Sequence, residues 1–181
     1  MTRNRILVFT STLLFSIALV GVLHFTTRSI RRSTEPHLPR MLDMAAERGE
    51  IRRMQLLILL GADVNSKVYP QFVCGNASEE DIAMDYHFPL QSAANAGQNE
   101  AVELLINHGA DVNATDGFRR TALWYAALGD HADTARLLIS RGANVNPPKG
   151  DFPLATTPLE EAIEEGEQGV VDVLLENGAR Q

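Results

Sequence analysis

The chain has 181 residues, 45% hydrophobic and 22% charged, a globular composition with room for one domain and an appendage. Its net charge of −7 is uneven: residues 1–40 carry six arginines against Glu35, whereas residues 41–181 carry 22 acids against 10 bases. A body this acidic is repelled by phosphate backbones, which argues against nucleic acid as a ligand, and with Cys74 as the single cysteine neither an internal disulfide nor a cysteine-built zinc site can form.

From Ile6 to Phe25 the sequence reads ILVFTSTLLFSIALVGVLHF, in which His24 is the one side chain able to carry a charge. As a helix rising ~1.5 Å per residue the run would be about 30 Å long, the thickness of a bilayer core. Arg3 and Arg5 precede it; Arg28, Arg31 and Arg32 follow. A cleaved secretory signal needs small residues just before the cut, and neither the region around Gly21 nor the residues after Phe25 offer a good site. No cysteine directly follows the run to take a lipid. The sequence therefore predicts a basic tail at 1–5, an uncleaved transmembrane signal-anchor at 6–25 and a polar, basic tether at 26–39. Basic residues nearly balance across the run, so the positive-inside rule discriminates weakly. A short basic tail favours a cytoplasmic amino terminus, which places the body in a bacterial periplasm or its equivalent. The opposite orientation would make it a cytosol-facing anchored adaptor.

Beyond residue 40 the chain repeats itself. AAERGEIRRMQLLILLGADVN from Ala45, AANAGQNEAVELLINHGADVN from Ala93, AALGDHADTARLLISRGANVN from Ala126 and AIEEGEQGVVDVLLENGA from Ala162 superimpose, with Gly61, Gly109, Gly142 and Gly178 in register. F-P-L at Phe88–Leu90, T-A-L at Thr121–Leu123 and T-P-L at Thr157–Leu159 open three of the units. Each unit predicts an inner helix, with threonine able to cap it or proline in its first turn. Alanine pairs such as Ala93–Ala94 and Ala126–Ala127 let inner helices approach closely. An outer helix with apolar residues at helical spacing follows, and the glycine stops it in a left-handed conformation. One such unit cannot bury its own apolar face; four stacked units share a core.

This pattern resembles the ankyrin repeat, over residues from about 40 to the end of the sequence. The fold expected is all-α: an ankyrin-repeat solenoid of helix–turn–helix units with β-turn fingers, plus one N-terminal transmembrane helix. The repeats fall at about 40–66, 83–115, 116–148 and 152–181, with 67–82 as an inserted extension of the first finger. From Asn113 to Thr121 the interval between units is eight residues, but from Asn65 to Phe88 it is 23. The insertion enlarges a finger and leaves the stack intact. Departures from the family pattern carry expectations too. Arg119 stands where the family usually has glycine, which predicts another turn type at that fingertip. Asp130 replaces the usual inter-helix glycine. R-M-L-D at Arg40–Asp43 replaces the opening motif, as in a capping repeat, and Val170, Val171, Val173, Leu174 and Leu175 predict a partly apolar outer surface on the last unit.

Little in the chain suggests chemistry. Asp130, His131 and Asp133 cluster at a helix start, read as a capping aspartate beside an exposed imidazole. No phosphate-cradling glycine loop and no nucleophile beside a base is evident, so neither an enzyme, a cofactor nor a small-molecule substrate is expected. Cys74 is read as an inert thiol within the insertion. Asn76–Ala77–Ser78 and Asn113–Ala114–Thr115 match the glycosylation pattern, the second merely as the end of a repeat turn.

The resemblance implies a protein partner bound through the inner-helix palm or the fingers. It places Glu47, Arg48, Asn95, Ala96, Leu128, Gly129, Glu164 and Glu165 on the palm, and the fingers at 66–87, 116–120 and 147–156. Tyr69, Phe72 and Tyr86 in the enlarged finger are anchor residue types, read either as partner contacts or as rings folded back on the first two units. Phe118, Arg119 and Arg120 form an aromatic–basic fingertip followed by Trp124, expected to pack, and Tyr125. Glu161, Glu164 and Glu165 should project from the last inner helix and steer a partner with a basic surface. The expected function is a membrane-tethered scaffold or helper for an envelope protein, with an immunity-type inhibitor of a toxic periplasmic enzyme as the rival.

Overall fold

The computed structural model describes residues 37–69, 85–150 and 155–180. The predicted anchor at 6–25, most of the tether, Phe72 and Cys74 lie outside them. Among the described residues no helix is long and apolar enough to cross a membrane.

Among the described residues, eight helices form four pairs: α1 (Leu38–Glu47) with α2 (Ile51–Leu59), α3 (Pro89–Asn95) with α4 (Asn99–Asn107), α5 (Ala122–Leu128) with α6 (Ala132–Ser140), and α7 (Pro158–Glu165) with α8 (Gln168–Glu176). The first helix opens at Leu38, inside the stretch assigned to the tether, because Leu38 is itself buried in the core. Inner helices α1, α3, α5 and α7 pack in series, and outer helices α2, α4, α6 and α8 stack behind them. Close inner packing follows from the alanines: Ala45, Ala46, Ala93, Ala94, Ala126, Ala127 and Ala162 are all 0% exposed. Met54, Leu105, Leu138 and Leu174 fill the space between the inner and outer layers.

The predicted punctuation is present. Thr121 Oγ1 accepts from Trp124 N–H at 3.3 Å, and Thr157 forms a capping box with Glu160 across 3.2 and 2.8 Å. Lys149 and the Thr157 amide hold the Glu160 carboxyl below its ordinary pKa. Gly61, Gly109, Gly142 and Gly178 adopt φ of 98°, 87°, 91° and 85°, and each following alanine N–H reaches back to close the helix, as Ala110 does to Leu105 O at 3.0 Å.

Two departures from glycine keep a positive φ, and at Arg119 this differs from expectation. Arg119 takes φ 62° and Asp130 φ 53°, so both keep the left-handed backbone that glycine would supply. The fingertip does not change turn type at Arg119. Its N–H donates to Asp116 O at 3.0 Å, while Asp116 Oδ1 accepts from Phe118 N–H at 2.9 Å and Arg120 N–H at 2.8 Å. These bonds over-determine the turn and hold an unfavourable backbone conformation in place.

Successive units are also laced together by the asparagine that ends each repeat turn. Asn65 Nδ2 donates to Gly109 O at 2.9 Å and its Oδ1 accepts from Asp111 N–H at 2.9 Å. Asn113 repeats this against Gly142 O and Asn144 N–H at 3.1 and 2.8 Å, and Asn146 against Gly178 O and Arg180 N–H at 3.0 and 2.8 Å. Asn113 is therefore more than the end of a turn.

Candidate functional site

The inner helices and the first finger enclose a polar hollow of about 310 Å³, lined by Asp43, Glu47, His87, Gln91, Ser92, Asn95 and Tyr125. Its floor is Asp43, 8% exposed on α1. Ser92 Oγ on α3 donates to Asp43 Oδ1 at 2.6 Å, and His87 Nε2 lies 3.2 Å from Asp43 Oδ2. The hydrogen bond to Asp43 raises the His87 pKa above 6.5, against the opposing effect of burial. Ser92 and His87 thus share the Asp43 carboxylate, each contacting a different oxygen, and the three side chains form one hydrogen-bonded cluster across α1 and α3.

His87 also closes the enlarged finger. Val68 and His87 form an antiparallel bridge with N–H···O distances of 2.8 and 3.0 Å. Beside it Tyr86 packs against Tyr69 and Phe88 at centroid separations of 5.9 and 5.8 Å, and the Lys67 ammonium sits 4.0 Å above the Tyr86 ring. The neck of the insertion is thus a built element joined to the palm through His87. Tyr69 is 48% exposed and Tyr86 half-buried.

At the second finger the expected free basic patch divides. Arg120 is committed internally: its Nε donates to Asp116 Oδ2 at 2.7 Å, and its guanidinium lies 4.7, 5.0 and 5.1 Å from the rings of Phe118, Trp124 and Tyr125. Asp116 is 2% exposed and needs that cation. Tyr125 donates its hydroxyl to Asp116 Oδ2 at 2.9 Å, and burial, then the Asp116 charge, push the phenol pKa upward, so it stays a donor. Arg119 and Phe118 are exposed. Gln91, 1% exposed, was not singled out by sequence reasoning, yet it ties this finger to α3: Nε2 donates to Ala114 O at 3.2 Å and Arg120 O at 2.9 Å, and Oε1 accepts from Phe88 N–H at 2.9 Å.

On the remaining palm, Glu47, Arg48, Asn95, Leu128, Glu164 and Glu165 are exposed, while Ala96 and Gly129 are half-buried. Glu161 does not project. It is 9% exposed and accepts from Thr156 Oγ1 at 2.6 Å, the same hydroxyl that accepts from Trp124 Nε1 at 2.9 Å. Trp124 packs, as expected, at 7% exposure.

The Asp130–His131–Asp133 cluster borders a second hollow of about 280 Å³. Asp130 does not cap α6, and His131 is half-buried, its Nε2 3.0 Å from Asn95 O. The imidazole wedges between units: a Cβ on Gly97, at φ 65°, would come within 2.6 Å of His131 Nδ1. Asp130 instead acts on Glu167, whose carboxyl it raises above the ordinary value. Among the described residues no group of histidine, cysteine and carboxylate side chains could hold a metal.

Stacked helix pairs sharing one core, with a lined inner face and projecting turns, define a solenoid recognition module. The family model described as "Ankyrin repeats (3 copies)" matches residues 42–149 and 90–181, and the chain belongs to the ankyrin repeat family, whose repeats are protein–protein interaction modules. The chain is 34% identical over 157 residues to the ankyrin repeat and KH domain-containing protein mask-1 of Caenorhabditis elegans, a match covering 76% of this chain and 6% of that one. It is 36% identical over 103 residues to Rabankyrin-5 of Mus musculus (57% and 9%) and 32% identical over 123 residues to neurogenic locus notch homolog protein 1 of Xenopus laevis (67% and 5%). The chain thus matches less than a tenth of each of these curated relatives.

Proposed function

We propose that this chain is a membrane-tethered, non-catalytic ankyrin module that holds an envelope protein through its palm, with residues 6–25 as the anchor and the repeats in a bacterial periplasm. The observation that supports the palm best is the hollow between α1, α3 and the first finger. It is lined by polar side chains, floored by the Asp43 carboxylate and rimmed by Glu47, while Glu164 and Glu165 add acidic groups on α7, beyond the acid-free helices α3 and α5. Such a face suits a basic segment of a partner. Tethering would raise the local concentration of the module at the bilayer.

A photo-crosslinking residue at Asn95 in the full-length chain should give a discrete adduct in cells, lost on Glu47→Arg, whereas one at Asp172 on α8 should give none. Adducts of equal yield from both positions, or none from Asn95, overturn the palm reading. Protease added to intact spheroplasts tests the orientation: loss of a carboxy-terminal tag supports the periplasmic body, and protection until lysis supports the cytosol-facing adaptor.

The neck of the enlarged finger, pinned to Asp43 through His87, favours one second reading, the immunity-type inhibitor, since it joins an inserted segment to the palm beside Asp43 and Glu47. Growth protection on co-expression with a toxic periplasmic enzyme would select it over the scaffold.

A further inference from the structure

The outer helix of the first unit has a second apolar face that its packing does not use. Met54 and Leu57 fill the core at 0% and 3% exposure, yet Leu56, Leu59 and Leu60 are 54%, 80% and 40% exposed. On a helix of ~3.6 residues per turn, Arg52, Arg53, Leu56, Leu59 and Leu60 fall within an arc of about 120°. The other three units show how unusual this stripe is within the chain. Leu59 corresponds to Asn107, Ser140 and Glu176; Leu60 to His108, Arg141 and Asn177; Arg52 to Glu100, Asp133 and Gly169. Leu56 corresponds to the apolar Leu104, Leu137 and Val173, but at the positions of Leu59 and Leu60 the unit next to the apolar run at 6–25 carries leucine where its siblings are polar, and at Arg52 it carries arginine where two of them are acidic. Helix α2 contains Arg52 and Arg53 and no acid, although Arg53 also reaches Glu50 at 2.9 Å.

We propose that this stripe is a membrane-contacting edge: Leu56, Leu59 and Leu60 enter the headgroup region of the bilayer while Arg52 and Arg53 meet anionic headgroups. The proposal rests on the anchor at 6–25. Residues 26–36 span at most about 40 Å even when fully extended, so an anchored chain keeps residue 37, where the first unit begins, within that distance of the bilayer. Leucines with flanking arginines on one helical face are the composition that lies in a lipid interface. The rest of the body is acidic and is repelled by anionic lipid, which turns this basic edge towards the membrane rather than any other. A second copy of the chain is the poorer occupant, because a two-fold contact through this stripe would set Arg52 and Arg53 against their own copies.

The test uses the full-length chain, Cys74→Ser, floated with phosphatidylcholine–phosphatidylglycerol vesicles and carrying a bimane label at Leu59→Cys or, as the matched position in the third unit, at Ser140→Cys. Both side chains are exposed, and each labelled protein should keep its unfolding midpoint. The label at 59 should be quenched several-fold more by brominated lipid, and several-fold less by aqueous iodide, than the label at 140. Arg52→Asp should shrink that difference. Equal quenching at the two positions in floated protein overturns the edge while leaving the anchor standing. A label at 59 shielded from both quenchers, with shielding lost on diluting protein in lipid, assigns the stripe to a second copy and overturns it too. Failure to float removes the anchor and the edge together.

Discussion

Tyr125 and Asp116 meet across 2.9 Å, phenol to carboxylate, and that carboxylate also receives the Arg120 guanidinium and two backbone N–H groups of its own turn. Asp116→Ala would leave a cation, a phenol and two amides without their acceptor at a site that is 2% exposed. Because Arg120 keeps some solvent contact, the expected loss is about 3 kcal/mol, the low end for breaking a buried pair. Urea unfolding of the variant measures it, and a loss below about 1 kcal/mol would show that water substitutes readily for the carboxylate.

The asparagine lacing makes a more graded prediction. Asn113→Ala removes one bond to Gly142 O and one from Asn144 N–H, both exposed, and should cost about 1 kcal/mol. Asn113→Asp keeps the acceptor and loses the donor, so its cost should fall between alanine and the parent. The ordering of the three midpoints is the check; an aspartate variant no better than alanine would mean that the donated bond carries the effect.

Helix positions, alanine contacts and stop glycines were legible because each depends on residues a few places apart. The hollow was not. Asp43 finds His87 and Ser92 at separations of 44 and 49 residues, and no local spacing announces that meeting. Arg120 read as a free fingertip charge because its counter-ion, Asp116, four residues away in an irregular turn, carries no periodic signal. Arg119 misled for a related reason. The penalty of a left-handed arginine is visible in the sequence, whereas the hydrogen bonds that impose it belong to the folded turn. Glu161 read as one more acid in a charged run, and only the fold sets Thr156 against it.

The His87–Asp43 contact predicts a pH dependence. The folded pKa of His87 is raised, so the folded state holds its proton more tightly than the unfolded chain. The stabilisation is fully present below 6.5, the unfolded value, and is lost as pH rises through the higher folded value. Unfolding midpoints of the parent should therefore decline over that window relative to His87→Asn, and amide exchange at Val68, bonded to His87 O, should quicken. Parallel pH profiles for parent and variant would remove His87 as the titrating group.

The aromatic neck separates two roles that the sequence left open. Tyr86→Ala deletes a half-buried ring from contacts with Tyr69, Phe88 and Lys67, and should lower stability by about 2 kcal/mol. Tyr69→Ala, at 48% exposure, should stay within about 0.5 kcal/mol of the parent. Thermal unfolding of both variants distinguishes them. Equal losses would mean that the neck folds as one unit, and Tyr69 would then be unusable as a separate probe of partner binding.

Arg119 offers the reverse case, a substitution expected to stabilise. At φ 62° a non-glycine residue costs about 1–2 kcal/mol, of which the backbone freedom of an unfolded glycine would return part. Its N–H bond to Asp116 O belongs to the backbone and survives the change. Arg119→Gly should therefore raise stability by about 0.5–1 kcal/mol in urea unfolding. A lower stability would mean that the arginine side chain makes contacts that outweigh its strain. A higher stability combined with a weaker crosslink from Asn95 would have a different meaning: the fingertip keeps a strained residue because the exposed guanidinium engages the partner beside the palm.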